Sequence, residues 1–135
     1  MTYEFCKETL HEDEVLTLYS DAGWGAYTRD MATLMKAFPA SLDVFSTWDD
    51  GKLVGLVRVV GDGLTIIYVQ DLLVLSSHKR QGIGAALMHL VMDKYKNVRQ
   101  KVLITEDEPE ARAFYESLGF TSCDKGGTVA FVKFN

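Results

Sequence analysis

Apolar residues recur along the chain at two spacings, and the spacing changes from one segment to the next. Apolar positions three or four residues apart indicate an amphipathic helix, whereas short continuous or alternating apolar runs indicate a strand. Helices are therefore predicted around residues 15–22, 31–38, 82–96 and 109–118. Strands are predicted over residues 2–7, 42–48, 53–60, 64–75, 101–105, 120–123 and 128–134.

Turn residues separate these elements and fix their order. Asp50-Gly51 is typical of a hairpin turn, residues 61–63 form a second turn, and Gly119 follows the last predicted helix. The resulting order is β-α-α-β-β-β-α-β-α-β-β. It predicts a mixed α/β (α+β) domain built on one central sheet rather than a doubly wound fold. The 135 residues suit a single domain, residues 1–135.

Composition narrows the classes of function. Hydrophobic residues make up 47% and charged residues 24%, which is typical of a globular protein. Nineteen acidic against fourteen basic residues give a net charge of −5, which argues against a nucleic-acid partner. No apolar run is long enough to span a membrane, and neither a signal peptide nor a metal-binding cysteine spacing is found. We therefore expect a cytoplasmic protein with no metal, no nucleic-acid partner and no membrane association.

The stretch from Val69 to Leu87 carries the clearest chemical signal. A predicted buried strand runs into a loop, and Gly82 and Gly84 open the following helix. The first N–H groups of a helix are unpaired and carry the positive end of its dipole, so they suit an anion such as a pyrophosphate. Lys79 and Arg80 add positive charge in an otherwise acidic chain. The pattern predicts an anion site at this helix start.

The same residues allow three alternatives to this anion site. A Walker loop requires a Gly-Lys-Ser/Thr ending, which the segment lacks. A dinucleotide fingerprint requires three glycines directly after the first strand, whereas this loop lies in the middle of the chain. The third alternative is a glycine-rich helix start that binds nothing.

Two segments resemble a known family. Lys79-Arg-Gln-Gly-Ile-Gly-Ala85 resembles the acetyl-CoA pyrophosphate loop of the GNAT N-acetyltransferases, Gln/Arg-x-x-Gly-x-Gly/Ala, with Lys79 at its first position. Residues 111–120 are similar to the family's Phe-Tyr-x-x-Leu-Gly-Phe segment. The order of elements also agrees, so the resemblance covers nearly the whole chain. It implies the GNAT fold, in which helices flank a central mixed, mostly antiparallel sheet.

The resemblance also implies a reaction and its cofactor. GNAT enzymes move an acetyl group from acetyl-CoA to a primary amine by direct attack within a ternary complex. A bulge splays the fourth strand of the fold, so the backbone of Leu73, Val74 and Leu75 is implied to bind the pantetheine arm. The implied pyrophosphate site consists of Lys79, Arg80, Gln81, Gly82, Ile83, Gly84 and Ala85.

Two residues are candidates for proton transfer. Tyr115 lies where the family has the general acid that protonates the leaving thiolate, although its apolar helix face equally suits a core tyrosine. Asp71 interrupts a long apolar strand near the expected thioester, where burial would raise its pKa and suit a general base. An ion pair between Asp71 and a partner such as Arg58 is the open alternative.

The acceptor site is expected near Trp24 and Tyr27. They lie in the break between the first two helices, which borders the acceptor site in the family, and aromatic walls suit an apolar amine. Ordinary packing of the helices on the sheet is the alternative. The expected acceptor is a small-molecule amine; a protein or peptide amine, a non-catalytic acyl-CoA-binding module and a generic interaction domain are the other hypotheses. The apolar segment 128–134 is compatible with a homodimer or with a central strand.

Overall fold

The computed structural model describes residues 2–5 and 9–135, with the backbone alone at residues 4 and 5. The chain divides into two compact units, Met1–Ile104 and Thr105–Asn135. The single domain predicted from the sequence can be tested by unfolding the protein, because a single domain is expected to unfold in one cooperative transition.

The first unit is built on a five-stranded sheet in the order β1-β2-β3-β4-β5. Its strands are β1 (Thr2–Phe5), β2 (Asp43–Asp49), β3 (Lys52–Gly61), β4 (Ile66–Val74) and β5 (Gln100–Leu103). Neighbours among the first four strands run antiparallel, and β5 runs parallel to β4. The predicted mixed, mostly antiparallel sheet is confirmed. Residues 6 and 7 of the first predicted strand lie outside the described residues.

Four helices belong to this unit: α1 (Glu12–Asp21), α2 (Gly25–Thr28), α3 (Met31–Ala40) and α4 (Ile83–Lys94). The side chain of Asp30 caps α3 by accepting the backbone N–H of Thr33 at 3.2 Å. α3 runs through Pro39, two residues further than predicted. Proline has a helical φ and lacks only one N–H donor, which the last turn tolerates better than the helix interior.

Helices cover both faces of the central strand β3, whose residues 53–59 are all buried. A Cβ added to Gly55 would lie 3.0 Å from Ile83 Cγ2, so glycine lets α4 pack closely on this face. Arg58 lies on the opposite face, because side chains three positions apart on a strand point to opposite sides. There it contacts Tyr27 of α2. This second face carries the polar network described below.

The second unit contains α5 (Pro109–Ser117) and a short 3-10 turn, Cys123–Gly126. Gly119, with φ +95°, follows α5 as predicted. The two strands predicted over 120–123 and 128–134 are wrong, since none of residues 118–135 is a strand. The apolar composition of a segment supplies no hydrogen-bonding neighbour, and without one a strand does not form. The apolar side chains of this segment are exposed instead: Val129, Phe131, Val132 and Phe134.

None of the described helices is long and apolar enough to cross a membrane. The cytoplasmic location stays a prediction.

Candidate active site

Among residues 2–5 and 9–135, no strand pairs with one edge of the second half of β4, here called its open edge. Its last parallel pair with β5 is Val69 with Leu103, but β4 continues to Val74. The register with β3 shifts at the same place, because Val69 pairs with Val59 and Asp71 pairs with Arg58. Gln70 is therefore an extra residue, a β-bulge. This is the splayed fourth strand that the family resemblance implies.

The register shows which backbone groups face this open edge. The Leu75 N–H donates to the Val54 carbonyl at 2.9 Å, and the Leu75 carbonyl accepts the His78 N–H at 2.8 Å. The N–H and the carbonyl of Leu75 therefore each have a backbone partner, and its role in binding the pantetheine arm stays a prediction. Backbone groups alternate in direction along an antiparallel strand, so Leu73 also faces β3. Val74 and Leu72 face the open edge, and Leu72 was not predicted.

The loop before α4 has the geometry of an anion site. Gly82 is the N-cap of α4 and adopts a left-handed conformation, with φ +79°. The first intrahelical bond runs from the Ala86 N–H to the Gly82 carbonyl at 3.0 Å, so the N–H groups of residues 83–85 have no intrahelical acceptor. A Cβ on Gly82 would meet nothing within 4 Å, which leaves room beside these donors.

The charged residues of this loop are exposed, and one of them has a left-handed backbone conformation. Lys79, Arg80 and Gln81 are all exposed. Arg80 adopts φ +65°, a left-handed conformation that costs a residue other than glycine about 1 kcal/mol. Together with the free N–H groups, these residues suit the pyrophosphate of acetyl-CoA.

The short 3-10 turn Ser76–His78, which leads into this loop, is tied to distant elements. Asp21, the last residue of α1, accepts the Ser76 N–H at 2.8 Å and the Ser76 hydroxyl at 3.1 Å. His78 Nε2 lies 2.8 Å from Asp49 Oδ2 at the end of β2. These contacts join the loop to α1 and β2, and the sequence held no signal for them.

Asp71 is the centre of a buried hydrogen-bonded network. Its carboxylate is 1% exposed and forms an ion pair with Arg58 Nε at 2.8 Å. Tyr19 donates to Oδ2 at 2.8 Å and Tyr27 donates to Oδ1 at 2.9 Å. The structure therefore has the ion pair that the sequence analysis kept as the alternative. Since both carboxylate oxygens already accept bonds, the geometry does not support Asp71 as the general base.

The tyrosines of this network stay neutral donors. Burial and the neighbouring Asp71 carboxylate raise the pKa of Tyr19 far above its ordinary value. Burial also raises the pKa of Tyr27. Both hydroxyls therefore keep their protons and remain directed at Asp71.

Four aromatic rings pack around this network. Tyr19 and Phe38 are buried, and their ring centroids lie 6.2 Å apart. Trp24 and Tyr27 are only partly buried, and their ring centroids lie 6.1 Å apart. Tyr19 and Phe38 therefore belong to the core, whereas Trp24 and Tyr27 form an aromatic wall at its edge. The Tyr27 hydroxyl accepts a bond from Gln70 Nε2 at 2.7 Å, which joins this wall to the bulge of β4.

Tyr115 lies on α5 in the second unit. Phe114 and Phe120 pack edge-on against its ring, at centroid distances of 4.9 and 6.1 Å. Burial raises the pKa of Tyr115, so its hydroxyl stays protonated at neutral pH. Such a group can donate a proton but is a poor base.

The sequence pattern does not indicate a place at this site for Tyr19, Gln70 or Leu72. Tyr19 falls at core spacing on α1, which hides its hydrogen bond to Asp71. The bulge at Gln70 left no signal in the periodicity of the apolar run. Among the described residues, no group of three or more His, Cys, Asp or Glu side chains could hold a metal ion.

Comparison with known proteins identifies the family. The model of the GNAT acetyltransferase domain matches residues 7–134. A GNAT-family acetyltransferase from Streptococcus pneumoniae TIGR4 is 34% identical, with a TM-score of 0.88 over 99% of this chain and 97% of its own. Among curated proteins, no match is found.

Two more distant structures share the fold but differ in their named acceptors. An aminoglycoside N-acetyltransferase in complex with CoA is 17% identical, with a TM-score of 0.68 over 99% of this chain and 98% of its own. A ribosomal-protein-alanine N-acetyltransferase from Brucella melitensis biovar Abortus 2308 is 20% identical, with a TM-score of 0.73 over 99% of both chains. At these identities the likeness extends to the fold alone.

The domain match and the pneumococcal structure each span nearly the whole chain. The left-handed Gly82, the N–H groups of residues 83–85 without an intrahelical acceptor and the open edge of β4 are compatible with acetyl-CoA binding. The chain belongs to the GNAT family and is an acetyl-CoA-dependent acetyltransferase.

Proposed function

We propose that this enzyme acetylates a primary amine of a small, partly apolar molecule, by direct attack of the amine within a ternary complex. One observation carries the proposal: the aromatic wall of Trp24 and Tyr27 is hydrogen-bonded through Gln70 to the start of the open edge of β4. Amine and thioester must meet at such a junction for attack. The aromatic faces suit the carbon skeleton of the amine.

The proposed acetyl-CoA site has two parts. The N–H groups of residues 83–85 and the side chains of Lys79 and Arg80 bind the pyrophosphate. Leu72 and Val74 hydrogen-bond the amides of the pantetheine arm, much as an added strand binds a sheet edge. Leu73 and Leu75, whose N–H groups are directed at β3, shape this edge without binding the arm.

The proposed chemistry transfers one acetyl group and two protons. The neutral amine nitrogen attacks the thioester carbonyl carbon, the C–N bond forms, and the C–S bond breaks. Tyr115 donates a proton to the leaving thiolate, a role supported by the family resemblance and by its raised pKa. The proton lost by the amine passes to water, because the Asp71 carboxylate is buried and engaged. Solvent then returns a proton to the Tyr115 phenolate, which restores the starting state of the enzyme.

Release of free CoA thiol from acetyl-CoA, measured with a panel of amines, tests this proposal. Tyr115→Phe is expected to lower turnover about a hundredfold while acetyl-CoA still binds. Tyr3→Phe, an exposed tyrosine on β1, is the matched control and should leave turnover unchanged. Undiminished turnover in Tyr115→Phe would exclude the acid role. A wild type that binds acetyl-CoA yet acetylates no small amine would contradict the acceptor class and favour a macromolecular acceptor.

We also propose a homodimer. It is supported by the exposed apolar side chains of the C-terminal segment, among them Phe131 at 92% exposure and Phe134 at 85%. Light scattering during size-exclusion chromatography should give twice the mass of the chain. Phe131→Lys should shift the protein to the monomer, and a wild-type monomer at all concentrations would contradict the proposal.

A further inference from the structure

Gln70 is the exposed end of a hydrogen-bonded chain that begins at the buried carboxylate of Asp71. Asp71 Oδ1 accepts the Tyr27 hydroxyl at 2.9 Å, and the oxygen of that hydroxyl accepts Gln70 Nε2 at 2.7 Å. Asp71 is 1% exposed, whereas Gln70 is exposed at the bulge of β4. Through these two hydrogen bonds, the buried carboxylate of Asp71 determines the orientation of the exposed Gln70 side chain.

The chemistry of the groups fixes the direction of every bond in this chain. An ionised carboxylate can only accept, so Tyr27 must donate its single hydroxyl proton to Asp71. The oxygen of Tyr27 can then only accept, which requires the amide NH₂ of Gln70 to face it. Gln70 Oε1 is consequently turned away from Tyr27. Arg58, whose Nε lies 2.8 Å from Asp71 Oδ2, pairs with the carboxylate in its ionised form.

The other acceptors of the network are already engaged. Asp71 Oδ2 accepts both Tyr19 and Arg58, and the Tyr27 oxygen also lies 3.3 Å from Arg58 Nη2. No donor among residues 2–5 and 9–135 bonds Gln70 Oε1. It is the open acceptor of the network.

We infer that Gln70 Oε1 accepts an N–H bond from the acceptor amine and so positions its nitrogen for attack. The inference rests on the proposed function, and it adds a residue that binds the reacting amine beside the aromatic wall of Trp24 and Tyr27. A neutral amide oxygen holds an N–H without removing its proton, so Gln70 orients the amine and is not its base. The contact requires an amine that has an N–H beside the attacking lone pair, which excludes tertiary amines.

Two substitutions separate this role from a purely structural one. Gln70→Met keeps the length of the side chain but has no acceptor, whereas Gln70→Glu keeps an acceptor oxygen. Both remove the Nε2 donor to Tyr27, and the carboxylate of Gln70→Glu also repels the Tyr27 oxygen. If Gln70 only held Tyr27, Gln70→Glu would therefore impair amine binding at least as much as Gln70→Met. Gln100→Met, an exposed glutamine on β5, is the matched control.

The experiment uses 2-phenylethylamine, spermidine and glucosamine as primary amines of different chemistry. Calorimetry measures their binding to the CoA-saturated protein, and thiol release gives KM and kcat. For an amine that the wild type binds, Gln70→Met should raise Kd and KM about tenfold, the effect of one hydrogen bond, without changing the KM for acetyl-CoA. Gln70→Glu should bind the amine at least as well as the wild type, and Gln100→Met should be unchanged.

The outcomes distinguish the inference from the proposed function. An unchanged Gln70→Met, or a loss in Gln70→Glu at least as large as that in Gln70→Met, overturns the inference while leaving the small-amine function in place. A wild type that binds CoA but none of the three amines overturns both.

Discussion

The buried ion pair between Arg58 and Asp71 leads to a quantitative prediction of stability. In Asp71→Asn the side chain keeps its size but loses its charge, so the guanidinium of Arg58 is left 6% exposed without an anionic partner. Removing one partner of a buried ion pair costs about 3–5 kcal/mol, because the remaining charge is desolvated and uncompensated. The asparagine oxygen still accepts neutral hydrogen bonds, which brings the expected loss to about 3 kcal/mol.

Urea unfolding followed by circular dichroism measures this loss. With a slope of about 2 kcal/mol per molar urea, the unfolding midpoint of Asp71→Asn should fall by about 1.5 M. Asp107→Asn is the control, because Asp107 pairs with Arg112 at 2.6 Å on the exposed surface. The control midpoint should not move measurably, since exposed pairs are screened by water.

A double-mutant cycle decides whether the loss comes from the charge pair. Arg58→Met combined with Asp71→Leu removes both charges and should be less destabilised than the sum of the two single changes. If Asp71→Asn costs less than about 1 kcal/mol, the size of an exposed pair, the buried pair does not stabilise this fold as reasoned. Additive losses in the cycle would equally refute the argument.

Two further predictions concern the cofactor loop and the turn before β4. Gly82→Ala places an alanine at φ +79°, which should lower the free energy of unfolding by about 1 kcal/mol. It should also weaken CoA binding measured by calorimetry. An unchanged Kd for CoA would contradict the proposed role of the loop. Asp62 accepts the backbone N–H groups of Leu64 and Thr65, both at 2.8 Å, and these bonds hold the pKa of Asp62 well below its usual range. A carboxyl with a depressed pKa stabilises the fold above its unfolded pKa of about 4, and this contribution is lost as the pH falls. The urea midpoint of the wild type should therefore decrease between about pH 5 and pH 3, and that of Asp62→Asn should decrease less. Parallel curves for the wild type and Asp62→Asn would refute this assignment.

The elements that the sequence predicted correctly have local causes. β3 and β4 are long apolar runs bounded by turn residues, and α4 begins at a glycine that a left-handed N-cap requires. Such features need no knowledge of distant residues. The proposed pyrophosphate loop has a local signal for the same reason, because its N–H donors and its charged residues are contiguous in the chain.

The structural features that the sequence did not predict depend on long-range pairing. Leu75 and Leu72 look alike in the sequence, but the register with β3 directs the N–H of Leu75 at Val54 and leaves Leu72 on the open edge. The segment predicted as a strand over 128–134 is apolar on both faces, but it pairs with no strand among the described residues. The local apolar pattern indicates that a segment tends to form a strand. Pairing with a neighbouring strand determines which of its backbone N–H and C=O groups remain free.

The position of Asp71 depends on both the local sequence and the strand pairing, through one extra residue in β4. Val69 and Asp71 are two positions apart and would share a face in a regular strand. They instead pair with Val59 and Arg58, adjacent residues of β3 that point to opposite faces. The extra residue, Gln70, therefore turns Asp71 away from the α4 face and towards the tyrosines of α1 and α2. The same bulge lies where β4 parts from β5, so one insertion both opens the backbone edge proposed for acetyl-CoA and anchors the aromatic wall proposed for the amine.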